Sequence, residues 1–172
     1  MIVPTFERPT CIRRFLNSVG KYYPDLRVVV SDASATKLEP DGKLERGKVL
    51  WKHLPSAMGH TVGAGRNFLL SQVNTEYFFL ADDDHMMSEG TDLNRMLQFL
   101  ESSGYDLVGG SQSKGDYGTA VFELSGRKLY QHFYRFHDKL ETGVVSCDRV
   151  SNTFLARTTA VREIGWEERV FA

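Results

Sequence analysis

Three consecutive carboxylates, Asp82, Asp83 and Asp84, are the residues of this sequence best suited to chemistry. They directly follow an apolar run from Tyr77 to Ala81, which has the length of a buried strand and is too short for a helix. Adjacent carboxylates raise one another's pKa, and a bound cation relieves their repulsion. Oxygen ligands on a short loop suit a hard divalent ion such as Mn²⁺ or Mg²⁺. We therefore predict a metal site here in preference to a solvated acidic turn.

A fourth aspartate, Asp32, ends the apolar, β-branched segment that begins at Leu26. Because the carboxyl ends of parallel strands meet at one edge of a sheet, we expect Asp32 to share that edge with the acidic triplet. A carboxylate there can bind a ribose hydroxyl or a base N–H. The alternative use of a lone aspartate after a strand is to cap a helix.

A basic residue follows the glycines of the stretch Gly63-Ala64-Gly65-Arg66-Asn67, where we predict a helix from Arg66 to Val73. Glycines let a ligand approach the backbone, a helix amino end favours an anion, and arginine adds a forked donor. This combination suits a diphosphate opposite the metal; the alternative is a flexible loop with an exposed arginine. The dinucleotide fingerprint fails, because Phe68 stands where its third glycine belongs.

The elements that must position these residues alternate between strand and helix patterns in the first half of the chain. Strands are predicted for 2–6, 26–32, 48–54, 77–81 and 106–110, and helices for the segment from the cap Thr10 to Pro24, for 66–73 and for 91–103. Later, 117–124 and 128–136 flank a turn signal, and a mixed segment 150–156 leads into a helix near Thr158. We predict a doubly wound, mostly parallel α/β sheet with an appended antiparallel edge hairpin.

The composition is that of one ordinary globular domain: 172 residues, 41% hydrophobic, 25% charged and a formal net charge of -1. There is no basic excess to predict nucleic acid binding, no membrane span and no signal peptide. Cys11 and Cys147 either pair once or stay reduced. The chain stops at Ala172 without a terminal signal, so we expect a single domain, 1–172, that is cut short at its carboxyl end.

Two further groups of residues have alternative interpretations. Asp148 and Asn152 lie in a polar loop and either bind hydroxyls or cap the backbone. Several aromatic residues either line an acceptor site or form the core of a sheet edge: Phe122, Tyr130, Phe133, Tyr134 and Phe136.

The ordered set of motifs resembles the family-2-type glycosyltransferases of the GT-A fold. It consists of Pro4-Thr5-Phe6-Glu7-Arg8-Pro9, a strand ending in Asp32, Gly65-Arg66-Asn67 and a strand ending in the acidic triplet. Within that family the chain is similar to the β-1,4-N-acetylgalactosaminyltransferases that build ganglioside-type glycans. That similarity rests on Tyr22-Tyr23-Pro24-Asp25, 63–67, 106–110 and 152–158, and it runs through essentially the whole chain.

The resemblance implies inverting transfer of a sugar, N-acetylgalactosamine, from a UDP-sugar to a glycan or glycolipid, with Mn²⁺ or Mg²⁺. It places Asp84 on the metal, Asp82 on the metal or the ribose, and Asp83 in either role. The other nucleotide-sugar-binding residues that it implies are Pro4, Thr5, Glu7, Arg8, Asp32, Gly65 and Arg66. His85 departs from the apolar residue expected after the triplet.

The catalytic base is unknown at this stage. By resemblance it lies beyond Ala172, and Asp148 is a weak candidate inside the chain. Glu163, Glu167 and Glu168 are interpreted as ordinary helix-surface charge. The resemblance also implies the Golgi lumen, with an amino-terminal anchor that this sequence does not contain; the alternative is the cytoplasm. Two other functions stay open: a nucleotidyltransferase acting on sugar phosphates, and a non-catalytic module that binds a nucleotide-sugar.

Overall fold

The computed structural model describes residues 1–38, 48–54, 61–110, 119–133 and 144–169. In these ranges one sheet contains the strands β1 (Ile2–Thr5), β2 (Val28–Asp32), β3 (Val49–His53), β4 (Tyr77–Leu80), β5 (Leu107–Gly109) and β8 (Phe154–Arg157). A second sheet consists of β6 (Ala120–Ser125) and β7 (Lys128–Phe133). The helices are α1 (Pro9–Tyr22), α2 (Val62–Ser71), α3 (Leu93–Ser102) and α4 (Thr158–Ile164).

The strand order of the larger sheet is β3-β2-β1-β4-β8-β5. Strands β3, β2, β1 and β4 run parallel, whereas β8 is antiparallel to both β4 and β5. The chain moves outward from β1 to β2 and β3 and then returns to the other side of β1 with β4. That reversal makes a crevice beyond the carboxyl ends of β1 and β4, where open α/β sheets bind ligands.

Helices cover both faces of this sheet. One core contains Phe15 of α1 and Leu100 of α3 against Val3 and Phe79, and the opposite core contains Leu69 of α2 against other strand residues. Alternate residues of each strand supply the two cores, as expected when both faces of a parallel sheet are buried. The predicted fold class, a doubly wound and mostly parallel α/β sheet with an antiparallel hairpin, is therefore confirmed.

Two helices begin earlier than predicted. The first starts at Pro9, with Arg8 in the N-cap position, so Thr10 lies inside the helix. Proline suits the first helical position because its missing N–H needs no acceptor there. The second starts at Val62, because the Thr61 hydroxyl accepts a hydrogen bond from the Ala64 N–H at 3.1 Å and caps the helix.

The predicted hairpin is present, but within the described residues it forms its own two-stranded sheet and is not an edge of the larger one. Near its turn, Leu124 and Leu129 pair across the strands and are exposed. The antiparallel strand of the larger sheet is instead β8, whose residues Phe154, Leu155 and Ala156 are buried. Parts of the predicted hairpin strands, 117–118 and 134–136, lie outside the described residues.

No helix in the described ranges is both long enough and apolar enough to cross a lipid bilayer.

The two cysteines, Cys11 and Cys147, are free thiols and both are partly buried.

Candidate functional site

A cavity of about 580 Å³ opens at the crevice beyond the carboxyl ends of β1 and β4. Most of the residues predicted to form the site line it: Pro4, Thr5, Arg8, Gly65, Arg66, Asp82, Asp83 and Asp84. They come from the end of β1 and the loop after it, the first turns of α2 and the loop after β4. The fold thus brings together groups that are as much as 80 positions apart in the chain, from Pro4 to Asp84.

The middle carboxylate of the triplet, Asp83, is buried at the floor of this crevice. The Thr5 hydroxyl donates to its Oδ2 at 2.6 Å, and Arg8 Nη1 lies 3.3 Å from its Oδ1. Burial raises the pKa of the Asp83 carboxyl, and the hydrogen bond from Thr5 and the charge of Arg8 oppose that rise. Asp83 therefore joins the ends of β1 and β4.

The Arg8 guanidinium lies between two carboxylates of the triplet. Its Nη1 is also 3.1 Å from Asp84 Oδ2, and both of these side chains are about half exposed. The neighbouring Asp83 and Asp84 raise the pKa of Arg8, so the group stays fully charged. An exposed ion pair of this kind contributes about 1 kcal/mol or less, which makes Arg8 a displaceable partner of Asp84.

The second arginine of the cavity, Arg66, projects from α2 toward the first carboxylate, Asp82. Its Nη2 donates to Asp82 Oδ1 at 3.0 Å, and its side chain is only 10% exposed against 28% for Asp82. The Nε of Arg66 is buried and has no hydrogen-bond partner among the described residues. A buried guanidinium that satisfies one carboxylate through one nitrogen keeps donors for an anion in the cavity.

The acidic triplet fits a divalent ion that is shared with a ligand, although it does not form a complete protein cage. No group of three or more potential metal-binding side chains converges among the residues that the structure describes. Asp82 and Asp84, however, both present carboxylate oxygens to the same cavity. Mg²⁺ is commonly held in this way, by one or two carboxylates together with substrate phosphates and water.

Two predicted nucleotide-binding residues have other partners in the structure. Both oxygens of the buried Asp32 accept backbone N–H groups, from Ser34 at 3.0 Å and from Leu38 at 2.7 Å. Glu7 accepts from the Ala35 N–H at 2.7 Å and adopts a left-handed backbone with φ of 53°. Neither side chain lines the cavity, and both hold the loop that follows β2.

The candidates near the end of the chain divide between the cavity and other contacts. Asn152 lines the cavity, whereas Asp148 accepts the Phe122 N–H at 2.8 Å beside the hairpin. Glu163 is exposed on α4. Glu168 accepts a hydrogen bond from Asn67, and Arg169 holds the Glu167 carboxyl with its pKa lowered to about 2. The structure therefore brings none of these four carboxylates into the cavity.

His85, which follows the triplet, is held by a hydrogen bond between its Nδ1 and the Thr153 hydroxyl. Its Nε2 lies 3.9 Å from Asp84 Oδ1. The aromatic residues Phe122 and Tyr130 are partly exposed on the hairpin, away from the cavity, while Tyr134 and Phe136 lie outside the described residues.

The sequence analysis missed several lining residues, of which Ser31, Leu54 and Thr61 are the most buried. Only Ser31 had a visible signal, because a hydroxyl interrupts the run of valines in β2 one residue before Asp32. Its Oγ is buried, and within the ranges that the structure describes it has no hydrogen-bond partner.

Comparison with known proteins gives a family match over nearly the whole chain, because the model of "Glycosyl transferase family 2" matches residues 1–165. A curated relative, β-1,4 N-acetylgalactosaminyltransferase 2 of Mus musculus, is 33% identical over 95% of this chain and 32% of its own length. β-1,4 N-acetylgalactosaminyltransferase 1 of Homo sapiens is also 33% identical, over 96% of this chain and 32% of its own length. The chain thus spans about a third of the curated relatives that it matches.

Among solved structures, residues 1–349 of TarS from S. aureus superpose on 99% of this chain and 50% of that chain, with a TM-score of 0.60 and 21% identity. The same protein in complex with UDP gives a TM-score of 0.62 at 20% identity, with the same coverage of both chains. At this level of identity the match supports the fold.

Proposed function

Because this chain belongs to glycosyl transferase family 2, we propose that its cavity is the donor site of a UDP-sugar-dependent glycosyltransferase. The enzyme takes a divalent cation, Mn²⁺ or Mg²⁺, and transfers N-acetylgalactosamine with inversion to a glycan or glycolipid. The observation that carries this proposal is the arrangement of Asp82, Asp84 and the buried Arg66 around one cavity at the switch point of the sheet.

The charge pattern of the cavity supports a nucleoside diphosphate as the ligand. Arg66 has donors left over after its bond to Asp82, so it can bind a phosphate oxygen. The amino end of α2, at Thr61 and Val62, lines the same cavity, and the helix dipole there favours an anion. Carboxylates and arginines that line one cavity match a diphosphate that is bound together with a metal ion.

Asp84 and Asp82 would hold the metal ion, which when bound neutralises negative charge on the diphosphate leaving group. Holding a metal ion would replace the exposed pair between Asp84 and Arg8, and the Arg8 guanidinium would then be available to a phosphate. Asp83 stays on Thr5 and keeps the two strand ends in register. Inversion further requires a base beside the acceptor hydroxyl, on the face opposite the departing diphosphate.

The donor sugar is proposed from two curated relatives that are named β-1,4 N-acetylgalactosaminyltransferases, whereas the glycan or glycolipid acceptor rests on the resemblance alone. TarS in complex with UDP, which has a similar fold, supports UDP as the nucleotide. For the compartment we propose the Golgi lumen, which rests on the resemblance alone, with the cytoplasm as the alternative.

The experiment is a calorimetric titration of the protein with UDP, in the presence either of Mn²⁺ or of EDTA. For the wild type we expect Mn²⁺ to tighten binding, and for Asp84→Asn we expect that effect to disappear while the fold is kept, because the substitution removes a hard-ion ligand. Asp106→Asn is the matched control: Asp106 is also exposed and paired with an arginine, but it precedes β5 at the far end of the sheet. Mn²⁺-dependent affinity that survives Asp84→Asn would reject this metal site.

Product analysis separates the rival functions. Transfer or release of N-acetylgalactosamine from its UDP donor is expected from a glycosyltransferase, whereas a binding module would bind the donor and leave it intact. Release of pyrophosphate from UTP and a sugar phosphate would instead identify a nucleotidyltransferase. That class uses a glycine-rich basic loop after its first strand, where this chain has Thr5-Phe6-Glu7-Arg8.

A further inference from the structure

Among the described residues, two arginines line the cavity, and they are held in different ways. The Arg66 side chain is 10% exposed and donates to Asp82. The Arg8 side chain is 54% exposed, and its Nη1 lies 3.3 Å from Asp83 Oδ1 and 3.1 Å from Asp84 Oδ2. Arg66 is therefore fixed by burial, whereas the Arg8 guanidinium lies at the surface and has room to move.

The backbone of Arg8 keeps its side chain beside the cavity. Arg8 is the N-cap residue of α1, Pro9 follows it, and the Arg8 carbonyl accepts the N–H of Ile12 at 3.1 Å. A guanidinium that leaves Asp84 therefore stays within one side-chain length of the same space. Its forked donors suit a phosphate as well as a carboxylate.

Arg8 and a divalent ion compete for Asp84. The Arg8 guanidinium contacts Oδ2 of this carboxylate, so an ion that Asp84 holds meets a second positive charge on the same group. Binding of the ion therefore displaces the guanidinium. Because an exposed ion pair is weak, Arg8 lowers the affinity for the ion but does not prevent its binding.

A diphosphate removes this penalty. An ion that binds alone takes Asp84 from Arg8 and offers the guanidinium no anion in exchange. An ion that binds together with a diphosphate brings phosphate oxygens into the cavity that Arg8 lines, so the guanidinium exchanges a carboxylate for a phosphate. Displacement of Arg8 thus opposes the binding of the free ion and favours the binding of the ion with a diphosphate.

We propose that Arg8 makes the site selective for a divalent ion bound together with a nucleoside diphosphate, over either of the two alone. This inference rests on the proposed function, because it assumes that both bind in this cavity. Arg66 does not have this role: its partner is Asp82, and burial keeps it in place whether or not an ion is bound at Asp84.

The experiment measures four affinities by calorimetry: Mn²⁺ alone, Mn²⁺ with saturating UDP, UDP in EDTA and UDP with saturating Mn²⁺. The factor by which UDP tightens Mn²⁺ binding equals the factor by which Mn²⁺ tightens UDP binding, and we call it the coupling factor. Mn²⁺ also binds UDP in solution, but that binding is the same for every variant and cancels when variants are compared.

In Arg8→Gln we expect Mn²⁺ alone to bind about fivefold more tightly, because no guanidinium competes for Asp84. UDP with Mn²⁺ should bind about tenfold more weakly, because one charge-assisted contact to a phosphate is lost. UDP in EDTA should change little, because Arg8 then stays with its carboxylates. The coupling factor is therefore expected to fall about tenfold.

Two further variants make the result specific. Arg14→Gln removes the same charge from the same helix, but Arg14 donates to the Asp84 backbone carbonyl at 3.4 Å and not to its carboxylate. It is expected to leave the coupling factor unchanged. Arg8→Lys keeps a cation that can pair with the same carboxylates, so Mn²⁺ alone should bind as weakly as in the wild type. The melting temperature checks that each variant is folded.

The outcomes separate the two proposals. If Mn²⁺ alone binds Arg8→Gln no more tightly than the wild type, Arg8 does not compete with the ion and the inference is wrong. Equal losses of UDP affinity with Mn²⁺ and in EDTA would make Arg8 a plain phosphate contact, and a fall of the coupling factor in Arg14→Gln would make the effect one of net charge. Each of these results overturns the role of Arg8 and leaves the donor site standing. A wild type that binds UDP in none of these conditions would overturn the proposed function itself.

Discussion

Replacing Gly65 by alanine should narrow the cavity beside this residue while strengthening the helix α2 that lines it. Gly65 is the fourth residue of α2, and its backbone does not have the positive φ that disfavours a side chain. The new Cβ would meet Ser31, Leu54 and Pro4 at 3.8–3.9 Å, which is ordinary van der Waals contact. The substitution therefore fits the protein, and it narrows the cavity that Gly65 lines.

The two expected effects have opposite signs. Alanine in place of glycine inside a helix stabilises it by about 0.5–1 kcal/mol, so the free energy of unfolding should rise by that amount. Overpacking costs roughly 1–3 kcal/mol where a methyl group meets a bound group, so UDP should bind on the order of tenfold more weakly or worse. Chemical denaturation measures the first effect and calorimetric titration of UDP measures the second.

Two other helical glycines serve as controls. A Cβ on Gly20, in α1, would meet nothing within 4 Å, so Gly20→Ala should give a similar helix gain with unchanged UDP affinity. A Cβ on Gly63 would lie 2.0 Å from the Glu167 carbonyl oxygen, so Gly63→Ala should destabilise the protein. Unchanged UDP affinity in Gly65→Ala would refute the idea that a ligand occupies the space beside this glycine.

The remaining predictions concern stability. Thr5→Val removes the hydroxyl that donates to the buried Asp83, and it should cost about 2 kcal/mol, whereas Thr5→Ser should cost less. In a double-mutant cycle, Thr5→Val should cost less in the Asp83→Asn background than in the wild type. If urea denaturation shows that the two losses in the free energy of unfolding are additive, the pairing of Thr5 with Asp83 is contradicted. Asn67→Ala removes one hydrogen bond to the Trp166 carbonyl and one from its N–H, and it should also cost about 2 kcal/mol. If the shift in the urea midpoint corresponds to less than half of that loss in the free energy of unfolding, Asn67 does not anchor the segment after α4.

The sheet and the acidic end of the site were predictable, because their signals are local. The apolar run from Tyr77 to Ala81 followed by three aspartates indicated a buried strand with carboxylates at its carboxyl end. Strand and helix patterns that alternate along the first half indicated a doubly wound sheet, which the structure confirms. The resemblance to family-2-type glycosyltransferases is confirmed by a family match over residues 1–165.

What the sequence did not show depends on contacts between distant residues. Gly63 looked like part of a loop, yet it is a helical position that leaves room for the Glu167 backbone, more than 100 residues later. The sequence also carried no signal that the fold of the six residues after Asp32 turns two backbone N–H groups onto its carboxylate. The hairpin has edge-strand composition, and only tertiary packing decided that β8 joins the larger sheet instead.

The central claim is that the carboxyl ends of β1 and β4 bind a nucleoside diphosphate together with a divalent ion. The most direct measurement is an anomalous diffraction map of crystals of this chain grown with UDP and Mn²⁺. We predict a manganese peak beside Asp84 and Asp82, with the diphosphate between the ion and Arg66. A manganese peak away from the triplet would contradict the account. So would UDP in the separate cavity of about 350 Å³ between α1 and the start of β3, which is lined by Tyr23 and Lys48.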